Sequence, residues 1–337
     1  MKWNTPNYAI EDMSTVTRQA GGDGVKRFQD AAFGLSVHWG LYALEGSGEW
    51  VYYLRRPPLD AYRKLMTRFN PVRFNADEWG DLMLEAGQKF LVITTKHHDG
   101  FCLWDTALTD FKVTNTAFKR DVIRELAEAL SARGLGLHFY YSLVDWTHPA
   151  YRTDWGRYVE YYQRQIGELC TNYGPIGGVI FDGYWPRYTF EGDEVEWFSP
   201  RAAWDLAGTY DLIHRLQPQA MIANNTHVLP LKGEDYQVWE LDLPGENKIG
   251  FNCTEIGDKP TACWWNINEG WSYQPDNHRV KSAEALVQTF QRVRSRRGVF
   301  FLNAGPRRFG DIHPEEQQVL RTMGQMIRAH GSGTAQG

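Results

Sequence analysis

Cysteine is scarce in this 337-residue chain, which holds only Cys102, Cys170, Cys253 and Cys263. Four are too few for a disulfide-stapled scaffold, and their spacing matches no zinc or redox motif. No stretch approaches the roughly 20 apolar residues of a membrane-spanning helix, and Met1-Lys2-Trp3-Asn4-Thr5-Pro6 lacks a signal-peptide core, so a cytoplasmic protein is expected. A basic surplus is missing too. With 36 Lys and Arg against 41 Asp and Glu the net charge is −5, so neither nucleic acid nor membrane is an expected partner. No Gly-x-Gly-x-x-Gly follows a strand-like run, which counts against dinucleotide binding. Repeats are absent, and only the tail 331–337 is of low complexity and expected to be loose. Aromatic residues, by contrast, are abundant: they make up 14% of the chain, with 14 Trp and 17 Tyr. Part of that must be core, but Trp and Tyr in loops are what a sugar cleft uses to stack on pyranose rings.

The chain alternates strand-like and helix-like pieces. Strands are expected at 34–40, 90–95, 135–142, 179–182, 220–225, 262–266 and 299–303, with 236–241 the candidate for an eighth. Asn75 caps a helix carrying Trp79, Leu82, Met83 and Ala86 on one side and stopped by Gly87; Asp121 opens another. Further helices are expected over 155–170, 201–216, 282–294 and 314–327. Such alternation implies parallel strands joined by right-handed crossovers, hence an α/β barrel or an open doubly wound sheet. Polar and aromatic residues near the strand ends (His38, His97, Tyr141, Asp182, Asn224, Trp265, Asn303) favour the barrel, because there they would share one rim. The expected fold is a single-domain (β/α)8, TIM-like barrel over 29–330, preceded by an arm at 1–28.

Asp182 ends a glycine-bounded apolar run, Val179-Ile180-Phe181, and is followed by Gly183-Tyr184-Trp185. It reads either as a cap for the following turn or as a catalytic carboxylate at the mouth of a barrel. His38, beside Trp39, could be a satisfied structural histidine, and Glu49, after Gly46-Ser47-Gly48, a solvated surface charge. His97-His98-Asp99 resembles a set of metal ligands, yet adjacent residues leaving a strand diverge, and no His-x-x-x-His or cysteine partner completes a site. No metal and no cofactor are therefore expected at this rim. Neutral His and Trp with a few carboxylates suit a polyhydroxyl ligand.

In order along the chain, Phe33-Gly34-Leu35-Ser36-Val37-His38-Trp39-Gly40, Gly48-Glu49-Trp50, Lys96-His97-His98-Asp99-Gly100-Phe101, Phe139-Tyr140-Tyr141-Ser142, Asp145-Trp146 and Phe181-Asp182-Gly183 resemble the α-L-fucosidases of glycoside hydrolase family 29. Trp271-Ser272-Tyr273, Lys281-Ser282, Phe301-Leu302-Asn303-Ala304-Gly305-Pro306 and Gly310-Asp311-Ile312 extend the likeness, which covers about residues 30 to 328. The resemblance implies an exo-acting, retaining hydrolase that removes terminal α-L-fucose from oligosaccharides or glycoconjugates through a covalent fucosyl-enzyme on Asp182. It also implies that His38, Glu49, Trp50, His97, His98 and Tyr141 hold the sugar's hydroxyls or ring. Trp185 is a candidate wall from its place beside Asp182.

Two departures from that pattern matter. The family's acid/base Glu often lies eight to ten residues before the Trp-x-Tyr motif, and that slot here holds Ala262. Alanine cannot move a proton. Three readings follow: a deliberate acid/base knockout, a role relocated to Glu240 or Glu246 (with Asp235 and Glu255 next), or a non-catalytic fucose-binding relative. Second, Asn224-Asn225 lead to Thr226-His227 where an Arg is common, so His227 is a candidate replacement. The chain stops soon after its last barrel motif, without the C-terminal β-sandwich common in the family, from which a homo-oligomer is expected.

Overall fold

The computed structural model describes residues 11–184 and 204–333. Eight strands run through it: β1 (Phe33–Val37), β2 (Phe90–Lys96), β3 (Gly136–Ser142), β4 (Gly178–Asp182), β5 (Met221–Asn224), β6 (Gln237–Glu240), β7 (Thr261–Asn266) and β8 (Val299–Ala304). All paired strands are parallel, in the order β5-β4-β3-β2-β1-β8-β7-β6. Pairing of β1 with both β2 and β8 curls the sheet into a barrel, leaving one seam between β5 and β6. Asp235 bridges that seam. Its N–H donates to the Ile222 carbonyl at 2.7 Å, and its Oδ2 accepts from the Ile222 N–H at 2.8 Å and lies 3.1 Å from His214 Nε2.

Among the described residues ten α-helices flank the strands: α1 (Gly22–Ala31), α2 (Val51–Arg55), α3 (Leu59–Arg63), α4 (Ala76–Ala86), α5 (Val122–Ala132), α6 (Pro149–Thr153), α7 (Trp155–Asn172), α8 (Leu206–Leu216), α9 (Ala283–Ser295) and α10 (Pro314–Gly333). The chemistry read from the sequence sets their ends. Asn75 caps α4 by accepting from Asp77 N and Glu78 N, and Gly87 ends it at φ +79°. Among the described residues no helix joins β5 to β6 or β6 to β7. The repeat is therefore irregular on the side of the seam.

Side chains alternate across each strand, and two buried layers result. Facing outward, Leu35, Val37, Ile93, Phe139, Tyr141, Phe181 and Trp239 pack beneath the helices. Facing inward, Phe90, Val92, Tyr140, Ile180, Val238, Ala262, Trp264, Val299 and Phe301 fill the barrel. Helix α1 closes the floor: the Phe28 ring lies 4.5 Å from Tyr236, 6.1 Å from Phe90 and 6.0 Å from Phe301. Residues 22–28 of the expected arm are thus part of this packing.

Candidate active site

The inward residues at the carboxyl ends of the strands form one ring, and it differs from the ring expected from the sequence by a single residue in three places. In the β3–β4 register Ser142 pairs with Asp182 and Tyr140 with Ile180, so Tyr140, Ser142 and Asp182 face the interior while Tyr141 faces the helices. Tyr141 is not at the site. Its hydroxyl donates to Gln165 of α7 at 2.6 Å and its ring lies 4.4 Å from Lys96 Nζ. Asn224 likewise turns out toward Tyr210 of α8, donating at 3.3 Å, and Trp265 packs against the outer layer; their neighbours Asn225, Trp264 and Asn266 take the inner positions. A bulge between Thr94 and Lys96 shifts the β2–β3 register. It sends Lys96 outward to Asp145, 3.5 Å away, and brings His97 to the rim.

Asp182, at the end of β4, is the best-anchored carboxylate of the ring. Its Oδ2 accepts from the Tyr140 hydroxyl at 2.7 Å, and its Oδ1 accepts from the Gly183 N–H at 2.7 Å and from Asn225 Nδ2 at 3.5 Å. Gly183 sits at φ +78°, and a Cβ there would come within 2.8 Å of Val144, so the tight turn that aims its N–H at Asp182 requires glycine. Burial raises the Asp182 carboxyl to about 6 despite these three donors.

Glu240 ends β6 on the same rim. The amide nitrogen of Asn225 donates to Glu240 Oε1 as well as to Asp182 Oδ1. Sharing one nitrogen keeps the two carboxyl groups within two hydrogen-bond lengths, about 6 Å, of each other. Burial, followed by the nearby Asp182 charge, pushes Glu240 up to about 8. Near neutral pH, Asp182 is thus the ionised member of the pair and Glu240 the protonated one. Two carboxyls with divergent proton affinities divide into nucleophile or base and acid.

The alternative acid Glu246 and the Ala262 slot stand elsewhere. Glu246 is held by Lys248 at 2.6 Å, Arg296 at 3.2 Å and Arg292 at 3.7 Å. Lys248 and its other donors outweigh burial and lower its proton affinity, so it is a carboxylate committed to surface cations. Ala262 lies within the barrel, registered between Val238 and Val299 and fully buried in the apolar filling. It is the second residue of β7, well below the rim, and is not a vacated proton-donor position. Counting back from Trp271 misplaced the slot because the β7–α9 loop length cannot be read from spacing.

Three histidines complete the wall. Asn303 donates through Nδ2 to the Trp271 carbonyl at 2.6 Å, so its Oδ1 accepts from His38 Nδ1 at 2.7 Å and leaves His38 Nε2 as an acceptor. Ser142 donates to the Val144 carbonyl at 2.7 Å, so its oxygen accepts from His98 Nδ1, also at 2.7 Å. The His97 ring stacks on Tyr140 at 5.6 Å and lies 4.0 Å from His98. Burial keeps all three neutral, holding His38 down at about 4 and His97 and His98 well below their usual range. The 3.8 Å approach of His98 Nε2 to Asp182 is therefore not an ion pair. Asp99 turns away to accept from Tyr62 at 2.6 Å, so the His-His-Asp run does not converge on one point.

Glu49 is buried and accepts from Ser272 N–H at 3.2 Å and Oγ at 3.0 Å, which ties the β1 loop to the β7 loop. Trp50 stands edge-on to His98 at 5.3 Å and to Trp146 at 5.2 Å, and the Trp271 ring lies 5.1 Å from His38. His227 contacts Asn252 at 3.3 Å and the Phe251 ring at 4.5 Å. Asn252 in turn accepts from the Glu240 N–H and donates to the Glu240 carbonyl, so His227 lies behind the Glu240 backbone. Trp185 falls outside the described residues. Sequence reasoning missed Tyr140 and the bridging role of Asn225. Strand alternation counted back from Asp182 would have found Tyr140, but only the fold brings Asn225 between the two carboxyls.

Comparison with known proteins agrees with this architecture. A family model described as alpha-L-fucosidase matches residues 4–332. Alpha-L-fucosidase 1 of Arabidopsis thaliana is 30% identical over 285 residues, covering 77% of this chain and 52% of that protein. The chain spans about half the length of the plant relatives it matches. Among solved structures, alpha-L-fucosidase isoenzyme 1 from Paenibacillus thiaminolyticus superposes with a TM-score of 0.78 at 33% identity, over 92% of this chain and 76% of that one. A Bacteroides thetaiotaomicron GH29 alpha-L-fucosidase, solved as a covalent intermediate trapped with 2-fluoro-fucosyl fluoride in a Glu-to-Gln variant, superposes with a TM-score of 0.78 at 28% identity, over 94% and 76%. This chain belongs to the α-L-fucosidase family.

Proposed function

We propose that the protein is a retaining exo-α-L-fucosidase acting on fucosylated oligosaccharides or glycoconjugates, with Asp182 as nucleophile and Glu240 as acid/base. The observation that carries this reading is Asn225, one amide nitrogen shared by two carboxyl groups of unequal proton affinity. That ceiling of about 6 Å accommodates the 5 to 5.5 Å typical of retaining glycosidases and falls short of the roughly 6.5 to 9.5 Å that leaves room for an inverting enzyme's water.

In the first step the Asp182 carboxylate attacks C1 of fucose. The C1–O bond to the aglycone breaks, and Glu240 gives its proton to the departing oxygen. Glu240, now a carboxylate, takes a proton from water as that water attacks C1, and the bond to Asp182 breaks to release fucose with its configuration retained. Tyr140, Gly183 and Asn225 stabilise the carboxylate that leaves. His38 Nε2, an acceptor on the rim, suits a sugar hydroxyl, and the edges of Trp50 and Trp271 suit the apolar side of the ring.

The fucose-binding alternative rested on Ala262, and a core alanine gives it no support. Release of 4-nitrophenol from the aryl α-L-fucoside tests the proposal. Turnover is expected in the wild type and should vanish in Asp182→Ala with the circular dichroism spectrum unchanged. Full activity in Asp182→Ala would overturn the mechanism, and no activity toward any α-L-fucoside would overturn the reaction.

A further inference from the structure

A second cluster of ligating side chains lies where the β7–α9 loop meets the start of α10, and it shares no residue with the Asp182–Asn225–Glu240 group. We infer that His278, His313 and Glu315 form a binding site for a divalent transition-metal ion, with zinc the best match. One ligand atom from each of the three residues lies within 4.8 Å of the others. The two imidazole rings are 4.2 Å apart.

The surroundings hold both rings in place. Glu316, fully buried, accepts through Oε1 from Asn268 Nδ2 at 2.6 Å and from His278 Nε2 at 3.1 Å. His278 therefore carries its proton on Nε2 and keeps the Nδ1 lone pair for a ligand, the carboxylate–histidine arrangement that orients metal-binding imidazoles. His313 stacks on Tyr273 with its ring 6.0 Å away and nearly parallel, at 18°. Its Nδ1 also presents a lone pair, which faces the Glu315 N–H from 3.3 Å. That contact is at the long end of hydrogen bonding and weak enough for an ion to displace. Glu315 is exposed and supplies the third ligand atom, a carboxylate oxygen. Two imidazoles and one carboxylate suit zinc and its neighbours, whereas calcium and magnesium favour all-oxygen sites. Water would fill the remaining position.

The ion would join the loop around 268–278 to α10. The same loop carries Ser272, which holds Glu49 through two hydrogen bonds. The site is thus a staple behind the wall that Glu49 and Trp271 form, and not a participant in the proposed reaction.

Titration of the metal-stripped full chain with zinc chloride by calorimetry, and with cobalt(II) by visible absorption, tests the inference. One equivalent of zinc should bind the wild type. Glu315→Gln, a surface change that leaves the fold alone, should raise Kd by about 10- to 100-fold, and His313→Ala should abolish binding. Cobalt should give tetrahedral d–d bands without a thiolate charge-transfer band. Absence of stoichiometric binding, equal affinity in both variants, or a thiolate band implicating Cys253 would each overturn the site. Asp182→Ala should bind zinc as the wild type does, so failure here is distinguishable from failure of the proposed hydrolysis.

Discussion

Replacing Glu240 with Gln separates the two halves of the proposed reaction. Gln keeps the shape of the protonated acid, and its Oε1 can still accept from Asn225, so Asp182 should keep its donors and its carboxyl should stay near 6. What the variant lacks is the proton. General acid catalysis contributes about 10²- to 10⁴-fold, or roughly 3 to 5.5 kcal/mol of barrier, for a leaving group that needs protonation. A fucosyl disaccharide should therefore be cleaved about a thousandfold more slowly. An activated fluoride or 2,4-dinitrophenyl fucoside should still fucosylate Asp182, with accumulation of the covalent species as deglycosylation becomes limiting. The pH profile adds a second readout. In the wild type kcat/KM should be bell-shaped, with the acid limb near 6 from Asp182 and the basic limb near 8 from Glu240. In Glu240→Gln the acid limb should remain and the basic limb should disappear. A variant that cleaves the disaccharide at the wild-type rate, or that keeps the limb near 8, would refute the assignment.

Three further changes probe the surrounding structure. Tyr140→Phe removes a hydroxyl that holds the Asp182 carboxyl down, so the acid limb of the kcat/KM profile should move up by about one pH unit; an unmoved limb would mean the hydrogen bond does not act on the ionised form. Ala262→Glu puts an unpaired carboxyl into the apolar barrel filling, so the melting temperature should fall, by an amount equivalent to several kcal/mol, with no gain in rate; a rise of orders of magnitude would restore the disabled-enzyme reading. Phe28→Ala opens the barrel floor and should cost about 3 to 5 kcal/mol in urea unfolding while sparing KM; a loss below 1 kcal/mol would show that α1 is not a plug.

The barrel was legible because glycines and helix caps punctuate this chain where its periodicity changes, as at Asn75 and Gly87 around α4. The weakest strand in the sequence, β6, is short, and the segments around it carry no helix among the described residues. Asp182 and His38 could be placed because each ends a clear apolar run. Tyr141, Asn224 and Trp265 were each one residue off. Two adjacent polar or aromatic residues at a strand end look alike in sequence, and only pairing with the neighbouring strand decides which one faces inward. The β2 bulge is likewise invisible, although it is what brings His97 to the rim. Glu240 and Glu246 could not be told apart by spacing. The arginines that hold Glu246 come from α9 and its C-terminal cap, some fifty residues later, and Asn225 reaches Glu240 across the seam of the barrel. His278 and His313 belong to no motif spacing and meet only because the β7–α9 loop folds back on α10.

The central claim is a covalent bond between fucose and one carboxylate, and trapping tests it most directly. Incubation with 2-fluoro-fucosyl fluoride, proteolysis and tandem mass spectrometry should find a single fluorofucosyl group on the peptide containing Asp182, absent from Asp182→Ala. Label on any other carboxylate, or none while the enzyme still turns over fucosides, would contradict the mechanism.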